Sequence, residues 1–329
     1  MTRCLLSICL IPMLAWAAPA QDEDPRGPAG EATVEMERRI LESDDPAEAF
    51  REAVLEAVQH WENELDARIG LYVRDERTGT EIGHNHNELF HAASTMKLPV
   101  MIEVFRQADR GWFDLDDRIL VDPMCRSMLD GSLYECDSRG YVAEHLHQPV
   151  RVRKLAEEMM VVSDNLATNL LIELVTPQRI TAAMRELGAD DGFVIRGLQD
   201  TAAYRAGISN RITARDLVEL LDAVENNRAA SAESCAEMRQ ILRAQHYRSR
   251  LPALLPEGVQ VGHKTGSISG HRHDAGTVYA PFGTYHVTIL MDGLTVPNAE
   301  ADGAAARLSR FIYDGRQALG TALDRQEGN

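Results

Sequence analysis

The chain has 329 residues, 44% hydrophobic and 26% charged, which places it among ordinary globular proteins with one large domain or two small ones. Its net charge of −17 excludes nucleic acid and anionic membrane as natural partners, since neither surface attracts a polyanion.

In chain order, a short head Met1 to Arg3, an apolar run Cys4 to Ala17 and the small-residue stretch Ala18-Pro19-Ala20 predict a cleaved secretory signal over residues 1–20. The run is too short to span a bilayer, so the mature chain is expected to be secreted or periplasmic, with no membrane in the mature form. Residues 21–45, rich in Asp, Glu, Pro and Gly, read as a disordered acidic lead. From Pro46 to about Leu65 the apolar residues Phe50, Val54, Val58 and Trp61 recur at helical spacing. Ile69 to Val73 and Glu81 to Gly83 flank Arg77-Thr78-Gly79 and predict a hairpin. A helix-rich middle follows, with helices over Met96–Gln107, Val152–Val162, Asp164–Val175, Pro177–Leu187, Ala214–Glu225 and Ala232–Leu242. Strand patterns return at Val259–Lys264, Gly276–Tyr279 and Tyr285–Met291, before a helix over Glu300–Leu319. The order implies an α+β fold over residues 46–325: an antiparallel sheet built from both chain ends (46–93 and 245–325) around an inserted helical lobe (94–244).

Cys125 and Cys136 share one loop-rich stretch and suit a local disulfide in an oxidising compartment, which leaves Cys235 unpaired. The lysines say more, because all but three of the 34 basic residues are arginine, the exceptions being Lys97, Lys154 and Lys264. A buried ammonium can lose its proton whereas a guanidinium cannot, so a lysine in this background marks a position where arginine does not serve.

Two of these lysines lie in motifs. In Ser94-Thr95-Met96-Lys97, serine and lysine three apart on a helix share a face, so a deprotonated Lys97 can activate the Ser94 hydroxyl for attack on an acyl carbon. Ser163-Asp164-Asn165 opens another helix and Lys264-Thr265-Gly266-Ser267 ends a strand. Singly each is explained as a cap or a turn, but S-x-x-K, S-D-N and K-T-G in this order are the signature of class A β-lactamases and penicillin-binding proteins. The sequence thus resembles the class A β-lactamase and related serine hydrolase family over residues 47–325, including Asp130-Gly131-Ser132 and Asn165-Leu166-Ala167-Thr168-Asn169-Leu170. The resemblance implies that Ser163 relays a proton to the leaving nitrogen and that Asn165 holds the substrate amide. Lys264, Thr265, Gly266 and Ser267 would bind the substrate carboxylate, with backbone N–H groups of Ser94 and Ser267 as oxyanion hole. It also implies a small β-lactam or peptidoglycan-like peptide as substrate, no cofactor, and a monomer.

The pattern breaks at the residue expected to release the acyl group. The position 36 residues after Ser163, where the family carries a loop glutamate, holds Gln199, and Ala203 stands where an asparagine is expected. Glutamine orients a water but cannot take its proton, so release is expected to be slow unless the adjacent Asp200 serves as base; its other reading is a helix cap. A D-alanyl-D-alanine peptidase and a penicillin sensor that stays acylated are the alternatives. The x-spaced pairs His84 and His86, His145 and His147, and His271 and His273, the last followed by Asp274, have zinc-ligand spacing but lack the further histidine of known zinc hydrolases, so no metal is expected. Arg272 and Asp274 are read either as active-site wall or as a salt bridge at a strand start.

Overall fold

The computed structural model describes residues 29–327, and the expected signal segment lies outside them. Helix α1 (Ala29–Glu42) precedes α2 (Pro46–Leu65), whose start is set by Asp45, which accepts a hydrogen bond from Glu48 N, and by Pro46 at the first helical position. The hairpin β1 (Arg68–Asp75) and β2 (Glu81–His84) follows, then the two-residue β3 (Phe90–His91), a 3-10 turn Ala93–Met96 and helix α3 (Lys97–Asp109). The helical lobe continues with short strands β4 (Arg118–Leu120), β5 (Met124–Arg126) and β6 (Leu133–Glu135), helix α4 (Gly140–Glu144) and strand β7 (Pro149–Arg151). Helices α5 (Val152–Val161), α6 (Asn165–Val175), α7 (Pro177–Glu186) and α8 (Thr201–Arg205), strand β8 (Arg211–Ile212), and helices α9 (Ala214–Glu225) and α10 (Ala232–Arg243) complete it. The chain then returns through β9 (Gln260–Ile268), β10 (His271–Ala280) and β11 (Gly283–Asp292) to the long helix α11 (Asn298–Glu327).

The main sheet has the order β2-β1-β11-β10-β9 with every neighbour antiparallel, so its strands come from both ends of the chain, as the pattern of elements implied. Alternation along the strands gives the sheet two apolar faces. Leu71, Val73, Val287 and Ile289 face α1, α2 and α11, with Phe50, Val54 and Ile312 between. Tyr72, Leu290 and Ala275 belong to the second core, which includes Leu98, Met159, Leu171 and Leu217 of the helical lobe.

Residues 29–42 depart from the expected disordered lead. Helix α1 buries Thr33, Met36 and Ile40 at steps of three and four, packing on α2 and α11. Its charges pair with each other and with α2: Arg38 with Glu35 and Glu42, and Arg39 with Glu56. A narrow apolar stripe suffices for a helix that only covers an existing core.

Candidate active site

Ser94 lies in the 3-10 turn that runs straight into α3. The turn is pinned from several sides: Ala92 N donates to Asn210 O (3.0 Å), Ala93 N to His91 Nδ1 (3.0 Å) and Thr95 Oγ1 to Ala92 O (2.6 Å). Ala93 holds φ 44°, a left-handed conformation that a residue with a β-carbon keeps only where its surroundings impose it. Strand β9, an edge of the main sheet, packs directly on this turn. A Cβ added to Gly266 would lie 3.1 Å from Thr95 Cγ2 and 3.2 Å from Ala93 Cβ, so the glycine of K-T-G is needed for the strand to approach the nucleophile's turn.

Lys97 opens α3 and is fully buried. Its ammonium donates to Ser163 O (2.8 Å), Ser163 Oγ (3.1 Å), Asn165 Oδ1 (3.0 Å) and, more distantly, Asp164 O (3.4 Å). Ser163 sits in the bend between α5 and α6 at φ 59°. Asp164, wholly buried, caps α6 by accepting from Ala167 N (2.7 Å) and fastens the neighbouring loop by accepting from Ser138 Oγ (2.9 Å) and Arg139 N (2.7 Å). From the opposite side the Lys264 ammonium donates to Ser163 Oγ (3.1 Å) and Thr265 O (2.8 Å). The Ser163 hydroxyl therefore stands between two lysine ammoniums. Ser94, Ser163, Asn165, Thr265 and Ser267 line one cleft of about 710 Å³.

Burial, with neighbouring positive charge, loosens both lysine protons. Desolvation, with the charge of Lys264 beside it, holds Lys97 well below the ordinary ammonium range, against the opposing pull of Asp164. Lys264 is pushed down to about 7, again chiefly by burial, with Arg250 and Arg139 adding to the effect and Asp274 opposing it. A neutral Lys97 is the form that accepts a proton from serine.

The loop across the cleft, Leu198 to Asp200, also lines it, but its polar groups are committed elsewhere. Asp200 is 1% exposed; its carboxylate accepts from Ala203 N (3.0 Å), Ser127 Oγ (2.9 and 3.0 Å) and Met128 N (2.8 Å). The capping alternative for Asp200 is the one this geometry fits, because a carboxylate with both oxygens so occupied has little capacity left to orient and deprotonate a water. Gln199, at φ 62°, exchanges hydrogen bonds with Asp137: its Nε2 donates to Asp137 Oδ2 (2.6 Å) and its Oε1 accepts from Asp137 N (2.8 Å).

Arg250 belongs to the site and has no motif to announce it. It is buried and donates to Ser267 Oγ (2.6 Å), His273 O (2.6 Å) and Gly266 O (3.2 Å), with Asp302 as its counter-ion (2.6 Å). Arg139 lines the cleft and donates to the Tyr247 hydroxyl (3.0 Å), spanning from the helical lobe to the segment after α10. Five of the six paired histidines are individually engaged: His84 with Glu62, His86 stacked on Tyr72, His145 with Tyr141 O, His271 with Asp292, and His273 with His91 O. Asp274 is buried and paired with His263 (2.9 Å) one residue before Lys264, and Arg272 lies 3.6 Å from Asp302. Cys125 and Cys136 form a disulfide and Cys235 is free and buried.

Comparison with known proteins identifies the family. Residues 53–315 match the Beta-lactamase enzyme family. The beta-lactamase regulatory protein BlaB of Streptomyces cacaoi is 26% identical over 291 residues, covering 75% of this chain and 91% of its own. The crystal structure of a beta-lactamase from Sphaerobacter thermophilus superposes with a TM-score of 0.71 at 29% identity, covering 80% of this chain and 96% of that one. A Leu-to-Glu mutant of PBP-A, solved as its acyl-enzyme complex with penicillin G, shares the fold with a TM-score of 0.68 at 24% identity, covering 80% and 94%. The protein belongs to the beta-lactamase enzyme family, the penicillin-recognising enzymes built around an active-site serine.

Proposed function

We propose that the protein takes the acyl group of a β-lactam onto Ser94 and releases it slowly. The observation that carries this reading is the Ser163 hydroxyl held 3.1 Å from both the Lys97 and the Lys264 ammonium, in the cleft that Ser94 lines. Neutral Lys97 takes the Ser94 proton as Oγ attacks the lactam carbonyl carbon. The oxyanion is received by the backbone N–H groups of Ser94 and Ser267. As the C–N bond breaks, Ser163 gives its proton to the leaving nitrogen and is reprotonated by an adjacent ammonium. Lys264, Thr265 and Ser267, with Arg250 behind Ser267, hold the substrate carboxylate.

Release needs a water and a base on the other side of the carbonyl. There Leu198 is apolar, Gln199 is bound to Asp137 and Asp200 serves as cap and anchor, so the second half of the cycle lacks a dedicated carboxylate. The reading includes export with cleavage before Gln21, and action as a monomer without metal or organic cofactor. Mass spectrometry after mixing with penicillin G tests it: a persistent adduct on Ser94 is expected. Absence of the adduct refutes acylation, and its disappearance within seconds refutes slow release. A second reading, a D-alanyl-D-alanine peptidase, is favoured by Arg250 and Lys264, which suit a peptide C-terminal carboxylate; a nitrocefin assay beside a dipeptide-release assay separates the two.

A further inference from the structure

The hairpin of β5 and β6, closed by the Cys125–Cys136 disulfide, lies outside the catalytic motifs, yet it touches every residue of the cleft loop from Leu198 to Asp200. Tyr134 on β6 donates its hydroxyl to Leu198 O (3.0 Å). Asp137, just past β6, binds the Gln199 amide through both its backbone and its carboxylate. Ser127 and Met128 in the hairpin turn hold the Asp200 carboxylate. The disulfide joins the same system through Asn169 on α6, whose Nδ2 donates to Cys136 Sγ (2.7 Å) and to Leu198 O (3.0 Å) while its Oδ1 accepts from Leu198 N (2.6 Å). Packing is tight enough that a Cβ on Gly197 would lie 2.8 Å from Asn169 Oδ1 and 3.3 Å from the Tyr134 hydroxyl.

We infer that this disulfide-closed hairpin is the positioning element for the acyl-side wall of the cleft, so that opening the disulfide weakens substrate binding while leaving the chemistry at Ser94 intact. The inference rests on the acyl-transfer reading above. No hairpin residue contributes to the groups that act on Ser94, whereas the side chains of Ser127, Tyr134 and Asp137 and the Met128 N–H hold the wall and both sulfurs accept from Asn169. Reduction by a dithiol gives two thiols at Cys125 and Cys136 and one cyclic disulfide of the reductant, two electrons and two protons being transferred. The freed strands then no longer hold Tyr134 and Asp137 in register against the loop.

The test separates the binding constant and the acylation rate constant for penicillin G by stopped flow, in the wild type, in Tyr134→Phe, in the Cys125→Ser/Cys136→Ser double variant and in the dithiol-reduced wild type. Loss of the single Tyr134 hydrogen bond is expected to weaken binding about five-fold, and loss of the disulfide more, with the acylation rate constant unchanged in each. Unchanged binding in all three, or a fall in the rate constant alone, overturns the proposal. Hydrogen exchange at the Leu198 amide supplies a readout independent of turnover: protection should fall in the reduced and double-variant proteins while amides of the main sheet keep theirs. Equal loss throughout means general destabilisation and overturns the proposal. If the wild type is never acylated, the acyl-transfer reading fails, and the exchange result still decides whether the hairpin holds the loop.

Discussion

The two walls of the cleft handle charge in opposite ways. On the Ser94 side, Lys97 and Lys264 are buried and face one hydroxyl, an arrangement that costs folding energy. On the Leu198 side the one buried carboxylate, Asp200, is filled with hydrogen bonds and contributes to structure. On the proposed reading, a site can be equipped for the first step of a two-step reaction while its other wall serves shape.

The comparison can be broken at several points. Ser94→Ala should abolish the penicillin adduct, with acylation lower by on the order of 10⁴-fold or more; a persisting adduct at another residue, located by peptide mapping, would overturn the assignment. Lys97→Arg keeps the charge but removes the base, and acylation should fall by about 10³-fold. If it falls only slightly, Lys97 acts as a fixed charge. Leu198→Glu places a carboxylate on the opposite wall, where Asn169 holds the backbone, and should speed release of the acyl group by about 10²-fold in a pre-steady-state chase. Gln199→Glu should do little, because the new carboxylate faces Asp137.

The pH profile sharpens the contrast within the reactive wall. If Lys264 binds the substrate carboxylate as a cation, as proposed, then with its value pushed down to about 7 the affinity should be complete below that pH and decline by up to about ten-fold per unit above it. Lys264→Arg should flatten this alkaline limb; an unchanged limb would mean another group sets it. The smallest catalytic effect is expected at Asp200→Ala. Loss of a helix cap and of a buried acceptor should cost about 2 kcal/mol of stability, seen in chemical denaturation, with adduct lifetime little changed. A collapse of turnover without loss of stability would make Asp200 the missing base.

The long elements were legible because their patterns are local. The α2 stripe of Phe50, Val54 and Val58 and the strands of the returning sheet are each read within one segment. The three motifs were legible because each keeps its chemistry within four residues. Arg250 and the Arg139–Tyr247 contact were not, since their meaning arises only when separate segments are brought together, 17 residues apart for Arg250 and Ser267 and 108 for Arg139 and Tyr247. Helix α1 is not legible because two apolar residues and a threonine among many charges resemble a solvated tail until a core for them to cover exists. For Asp200, sequence left the cap and the base equally open, and the partners Ser127 and Met128, 73 and 72 residues away, decided which geometry was built.

The central pairing of β1 with β11 joins Arg68 to Asp292 across 224 residues of chain. Contacts of such separation must overcome the loop-closure entropy of a large part of the polypeptide, which predicts that they form late. Strand β9, which presses Gly266 against the turn of the nucleophile, is carried into place by that same sheet. A chain whose sheet has not closed would lack the surface that completes the cleft, so labelling by a fluorescent penicillin during refolding should rise only with the final kinetic phase, making acylation a clock for the closure of the sheet.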